Sequence, residues 1–425
     1  MENQKLINRW LVVVGSMLIG LLAGICYTWS LFVVPLRDTY NWDVDSIAMI
    51  GNVMMAVFSI GATVGGIMLP KVGAKPCSLL GTIIYTIGVV WTAFATTPTV
   101  MYIAWGILAG LGAGILYAMG MYVASAWFPD KRGIIMGVFL CLFGLSVTIF
   151  TQPTYSMLDN VGARSTLLFY AIFIGVVGLF VSLFLMQTPP EGWVPKGYIV
   201  PSDNSNTQNE LESCTVSESL RTKTFWMYFG AYGCLAVPYF FISSYATVFL
   251  SEYKSLLYEQ AVFIVGLMGI GAATGRIFGG FIVDRIGCRK SYATGCLLSV
   301  LSCLLLFVCN SYIGLMIGFF LVSFGFGSRM STYGCHPVEQ FGPKYASSMF
   351  GWAILATVPT TVLAPMITAW TRNSTGSYTP AIIIAIIASL IGMCGITFAP
   401  KQSPYMKKNQ IQPNKKVEKR SEPCT

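Results

Sequence analysis

Charge is scarce in this sequence, and histidine is almost missing. Charged residues make up 10% of the 425, against roughly 25% in a soluble domain. A single soluble core with a solvated surface is thereby excluded. The one histidine, His336, excludes a metal site built from a histidine cluster. Twelve cysteines are present, but Cys26, Cys141, Cys234, Cys296, Cys303 and Cys394 lie inside apolar runs, and none has metal-ligand spacing. Free cysteine in such a run behaves as a small hydrophobe, so no disulfide, metal or other cofactor is expected. No nucleophile constellation or phosphate-binding loop stands out, and the sequence does not read as an enzyme.

What the chain has instead is long apolar runs. It is 55% hydrophobic, with a mean hydropathy of +0.68. A membrane-spanning helix needs about 20 mostly apolar residues. Twelve such runs begin near Trp10, Ile47, Ser78, Val100, Gly133, Ser165, Phe225, Ala261, Ser291, Ile313, Ser347 and Thr379. The fold class expected is an all-α membrane protein of twelve transmembrane helices. The first run, from Trp10 to about Pro35, is too long for the core of a signal peptide and has no small-residue cleavage site after it. It reads as the first helix.

Lysine and arginine set the expected topology. With the N-terminus inside, twenty of the 26 basic residues fall on the side of the termini. Arg37, Arg164, Lys254 and Arg372 fall on the other, and two lie within runs. The positive-inside rule therefore predicts cytoplasmic termini. The net charge of +9 follows from this arrangement and a basic tail, and does not call for a nucleic-acid partner. The partners expected are the lipid bilayer and a small anion, with the chain as a monomer. A bacterial inner (plasma) membrane fits the basic loops.

The two basic residues inside apolar runs are Arg276 and Arg329. A charge at membrane depth costs at least a few kcal/mol and is rarely kept without a role. All 17 acidic residues lie in loops or near helix ends, so no carboxylate is available at mid-depth to neutralise either arginine. The missing anion is then expected to be the substrate. A structural arginine bonded to backbone carbonyls is the alternative for Arg276. A structural or gating role is the alternative for Arg329.

A polar stretch rich in Pro, Ser, Asn and Glu separates six runs from six. The expected organisation is an N-terminal half at 1–187, a cytoplasmic linker at 188–222, a C-terminal half at 223–400 and a basic tail at 401–425. Each half repeats a loop after its second helix. The second copy is Gly280-x-x-x-Asp284-Arg285-x-Gly287-x-Arg289-Lys290, and the first is Gly66-x-x-x-Pro70-Lys71-x-Gly73-x-Lys75. This pattern resembles the loop signature of the major facilitator superfamily. That resemblance implies two pseudo-symmetric six-helix halves with substrate bound between them near mid-depth, and a gating role for the loop residues Asp284, Arg285 and Arg289. The glycines Gly106, Gly110 and Gly114, and Gly271, Gly275 and Gly279, are spaced for close helix packing.

Further segments resemble the oxalate/formate antiporter family of that superfamily. They are Asn8-Arg9-Trp10, Tyr27-Thr28-Trp29-Ser30-Leu31-Phe32 with Pro35-Leu36, and Ile115-Leu116-Tyr117. Trp127-Phe128-Pro129-Asp130-Lys131-Arg132-Gly133, Thr224-Phe225-Trp226 and Gly275-Arg276 complete the set. The resemblance implies that Arg276 binds a carboxylate and that Tyr27 and Tyr117 belong to an aromatic cage. Phe326 and Met330 stand where the family usually has Trp and Tyr. Leu355 stands where its dicarboxylate exchangers carry a lysine, which favours a different small carboxylate unless Arg329 replaces that lysine in space.

Arginine offers a planar fork that holds a carboxylate through two hydrogen bonds, and tyrosine adds hydroxyl donors on apolar walls. The substrate-binding set expected is Arg276, Arg329, Tyr27 and Tyr117, with Trp29, Phe326, Met330 and Trp352 lining the path. His336, seven residues after Arg329, is a candidate proton relay or a packing histidine. The function expected is secondary transport of a small organic carboxylate by alternating access, as exchange of one anion for another. Proton-coupled or facilitated monocarboxylate transport is a second reading. A transport-dead membrane sensor is a third.

Overall fold

The computed structural model describes residues 8–190, 193, 195, 214–342, 349, 352 and 354–400. The expected tail at 401–425 and most of the linker, 196–213, lie outside the described residues. Within them the regular structure is helical throughout. That follows from the apolar runs, because a segment crossing lipid must satisfy its backbone groups internally.

Ten helices among the described residues are long and apolar enough to cross a membrane, and with the longest divided and one shorter helix added, twelve segments follow in chain order. They are α1 (Arg9–Tyr40), α2 (Val44–Val72), α3 (Ala74–Ala93), α4 (Pro98–Trp127), α5 and α6 within Arg132–Phe184, and α7 (Lys223–Ser244). The rest are α8 (Tyr258–Ile286), α9 (Cys288–Val308), α10 (Tyr312–Phe341), α11 (Val358–Thr375) and α12 (Thr379–Thr397). Helices α5 and α6 divide at Gly162, whose φ of 77° and ψ of 170° are not helical. The eleventh span, expected to begin near Ser347, is broken by a turn at Ala356–Thr357, with helical Trp352, Ile354 and Leu355 before it and Val358–Thr375 after it. Residues 343–346 before that run, and 347, 348, 350, 351 and 353 within it, lie outside the described ones.

The halves repeat one packing plan. Helix α2 packs on α4 and α8 packs on α10, while α3 packs on α6 and α9 on α12. Small residues permit the close pairs. A Cβ on Gly110 would lie 2.8 Å from the Met54 carbonyl oxygen, and one on Gly271 would lie 2.6 Å from that of Phe320. The repeated loops also share a backbone. Gly73 ends α2 at φ 88°, ψ 165°, and Gly287 ends α8 at φ 81°, ψ 161°. A left-handed φ favours glycine, so the paired glycines of the two motifs are explained by one turn built twice.

Lipid contact accounts for the outer surface. On α6, Ile172, Val176, Phe180 and Phe184 lie one turn apart on one exposed stripe.

We call the end of the bundle that carries the chain termini the proximal face, and the opposite end the distal face. The two halves meet where α5 packs on α8 and α2 on α11. Hydrogen bonds between the halves gather in the distal part. Thr148 donates to the Gly266 carbonyl at 2.7 Å, Ser244 to Asn52 Oδ1 at 2.7 Å, and Thr247 to the Ser30 carbonyl at 2.8 Å. Tyr258 donates to the Leu31 carbonyl at 2.8 Å, and Arg37 pairs with Glu252. The distal face is closed.

Candidate functional site

Irregular backbone surrounds the middle of the bundle. Helix α1 tightens to a 3₁₀ segment at Gly24–Trp29, which carries Tyr27. Helix α7 contains Pro238, one residue before Tyr239. Backbone of this kind is tolerated at membrane depth where it is buried in protein or lines a cavity. Both segments border a cavity of about 50 Å³ whose wall includes Tyr27, Trp29, Asn52, Tyr239 and Ser244. Helix α8 contributes Val265 and Met268. Arg276 lies two turns further along α8, so the cavity sits on its distal side.

Arg276 is buried at 6% exposure and reaches across the interface between the halves. Its guanidinium carbon lies 5.7 Å from the centre of the Phe143 ring on α5. A Cβ on Gly144 would overlap its Nη1, so a glycine at that point of α5 admits the guanidinium. Tyr27, Tyr117 and Tyr239 are its electrostatic neighbours, from α1, α4 and α7. Phe143 knits the wall together: Tyr117 packs on it at 4.7 Å and Tyr27 at 5.4 Å between ring centres. The chain thus brings Arg276, Tyr27 and Tyr117 into one cluster.

Arg329 lies elsewhere. It is 2% exposed, and its Nε and Nη1 have no hydrogen-bond partner among the described residues. Its neighbours are Tyr292 and Cys296 of α9, Tyr333 of α10 and Tyr239 of α7. Its guanidinium carbon sits 4.8 Å from the centre of the Phe326 ring. Arg329 is thus enclosed within the C-terminal half, whereas Arg276 spans the interface. Tyr239 neighbours both, and its ring stacks on Phe326 at 3.9 Å and 9°.

The remaining expected residues are placed as follows. Trp29 lines the cavity, but its indole N–H donates to the Ile47 carbonyl at 2.8 Å and its ring stacks on Trp105 at 4.9 Å. Met330 packs at the border between the main core and a smaller cluster around Tyr228, Tyr232 and Tyr333. Trp352 is not brought to the cluster around Arg276. It packs with Phe225, Phe341 and Met349 near the proximal ends of α7 and α10. Leu355 lies just before the turn that precedes α11.

His336 is buried against Tyr228, with ring centres 3.6 Å apart, and the Arg289 cation is nearby. Arg289 donates to the carbonyls of Ala399 and Pro400 at 3.0 and 2.9 Å, tying α9 to the end of α12. Asp284 is exposed and makes no ion pair among the described residues. Arg285 covers the Phe281 ring at 4.3 Å. Among the described residues, these three loop side chains make no hydrogen bond to the N-terminal half.

Sequence reasoning missed Tyr239, Asn52, Phe143 and Gly144. Nothing in Tyr239-Phe240-Phe241 distinguishes a cavity residue from lipid-facing aromatics. Gly144 carries no local signal.

Two related six-helix halves, closed at one end and holding a buried cation with tyrosines at their interface, define an integral membrane carrier protein. The chain belongs to the Major Facilitator Superfamily, whose family model matches residues 15–280 and 258–421. It is 23% identical over 424 residues to the oxalate:formate antiporter of Oxalobacter formigenes, with 96% of each chain covered. It is 22% identical over 431 residues to monocarboxylate transporter 12 of Mus musculus, covering 95% of this chain and 87% of that one. An uncharacterized MFS-type transporter, YhjX of Escherichia coli (strain K12), is 22% identical over 348 residues, covering 81% of this chain and 83% of its own.

Proposed function

We propose that the protein moves a small organic carboxylate across a membrane by alternating access, exchanging one anion for another. The observation that carries this reading is Arg276, buried at the interface of the halves among three tyrosines, in a chain whose acidic residues all lie in loops or near helix ends. The names of two relatives, an oxalate:formate antiporter and a monocarboxylate transporter, support a carboxylate.

The charge logic favours exchange. Rocking the halves around a buried cation is costly. A bound carboxylate offsets that charge and lets the halves reorient, so return without an anion is slow. The cytoplasmic orientation of the proximal face, a bacterial inner membrane and the division at 188–222 belong to the same reading. So does a monomer that binds its anion through Arg276, Tyr27 and Tyr117. On this orientation, the closed distal face is the outer one.

The name of the monocarboxylate transporter relative supports a second reading, proton-coupled or facilitated transport of a monocarboxylate. Counterflow in proteoliposomes separates the two. Vesicles are loaded with unlabelled oxalate, formate, lactate or acetate, and entry of the labelled anion is followed with and without a pH gradient. Acceleration by internal anion at zero pH gradient is expected. Uptake that needs acid outside and ignores internal anion would establish proton coupling instead.

A further inference from the structure

Tyr239 occupies a place that none of the sequence motifs marks. It stands on α7 immediately after Pro238, and its ring lies flat against Phe326 of α10 at 3.9 Å. Phe240 meets the Phe326 ring edge-on at 5.7 Å, so the stack is held from two sides. The residue is 5% exposed and lines the central cavity together with Tyr27.

Three observations bear on what its hydroxyl does. Among the described residues it forms no hydrogen bond, and it is not one of the sealed, unpartnered polar atoms of the interior. A tyrosine hydroxyl that opens on a cavity is available to a partner bound there, whereas those packed in the core usually bond to the chain. Tyr292 and Tyr333 do so here, donating to the carbonyls of Ala231 and Tyr232. Tyr239 also neighbours both buried arginines, whose other electrostatic partners are separate sets. Lastly, Tyr27 lines the same cavity from the opposite half.

We propose that Tyr239 is a substrate-contacting residue whose hydroxyl donates a hydrogen bond to the carboxylate held at Arg276, from a ring fixed between that site and Arg329. This rests on the carboxylate reading of the Arg276 site and extends it to α7. The stack on Phe326 fixes the direction of the donor before the anion arrives, which lowers the cost of ordering it. Tyr27 on α1 and Tyr239 on α7 then approach one anion from opposite halves. Binding thus draws the halves together through two hydroxyls as well as one guanidinium.

The test uses the full-length chain in proteoliposomes, with labelled oxalate and labelled formate as probes. Tyr239→Phe removes one oxygen and keeps the ring. It is expected to raise the KM for exchange about tenfold, with the thermal midpoint in detergent unchanged. Protection against unfolding by oxalate or formate should weaken in the same variant. Phe326→Leu keeps the hydroxyl but releases the ring, and is expected to raise KM as well. It also serves as the second variant should Tyr239→Phe fail to fold. An unaltered KM and unaltered protection in Tyr239→Phe would overturn the inference while leaving the Arg276 reading intact. For Phe326→Leu, an unaltered KM would likewise overturn it. Exchange that persists in Arg276→Gln, or a wild-type chain that exchanges neither probe, would instead overturn the reading beneath it.

Discussion

The carboxylate of Asp45, at the start of α2, accepts a hydrogen bond at 3.2 Å from Nη1 of Arg372, at the end of α11 in the other half. The Tyr245 hydroxyl and the Asn373 amide reach the same carboxylate at 3.0 and 2.8 Å. One acid of the N-terminal half thus gathers three donors from the C-terminal half, at the distal face. Opening that face must break all three.

Asp45→Ala should therefore loosen the distal seal. A partly exposed ion pair contributes only about 0–1 kcal/mol, but hydrogen bonds to a charged carboxylate add about 1.5–3 kcal/mol each. A shift of at least tenfold toward the distally open state is expected, since about 1.4 kcal/mol corresponds to a factor of ten. The measurement is the labelling rate of Ser244→Cys by a membrane-impermeant maleimide, in the Asp45 variant against its parent. An equal rate would show that the remaining cross-half bonds hold the face shut unaided.

Gly144→Val tests the entry of the guanidinium into the interface. Its side chain would overlap Arg276 Nη1, so the arginine must move. Exchange is expected to fall at least tenfold, while the helical content and the amount of folded protein in the membrane stay near those of the parent. Exchange at the parental rate would mean that the observed position of the guanidinium is not needed.

His336 sits against Tyr228 and beside Arg289, among residues that tie the proximal ends of α7, α9, α10 and α12. This is a packing environment, away from the cluster around Arg276. His336→Gln should lower thermal stability by roughly 1–3 kcal/mol and leave the pH dependence of exchange unaltered. A pH profile that flattens in the variant would establish the proton-relay role instead.

Trp352→Leu is expected to leave KM for the anion within twofold and to lower stability by about 1–2 kcal/mol, as for partial loss of a half-buried aromatic. Its neighbours Phe225, Phe341 and Met349 form a cluster at the proximal end, apart from the cavity wall. A large rise in KM would place Trp352 on the substrate path after all.

The sequence made the spans legible because lipid imposes one requirement on every crossing segment, and apolar runs satisfy it visibly. Arg276 and Arg329 stood out for the converse reason, as charges where charge is costly. The repeated glycine of the two loops reappears as one backbone turn at Gly73 and Gly287. What could not be read was which buried groups meet. Spacing along α10 puts Phe326 and Arg329 on one helix, yet it is Tyr239, 87 positions before Phe326 in sequence, that stacks on the first and neighbours the second. Trp352 is one aromatic among many in the apolar runs, and only its packing with Phe225 and Phe341 assigns its cluster. Gly144 is informative solely because of what approaches it.

The most direct measurement compares wild type, Arg276→Lys and Arg276→Gln in counterflow at zero pH gradient, with binding of labelled oxalate and labelled formate followed in parallel. The account predicts anion-accelerated uptake in the wild type. It predicts strongly reduced uptake in Arg276→Lys, which keeps the charge but loses the planar fork, and neither binding nor exchange in Arg276→Gln. Exchange by Arg276→Gln at a rate near that of the wild type would contradict it.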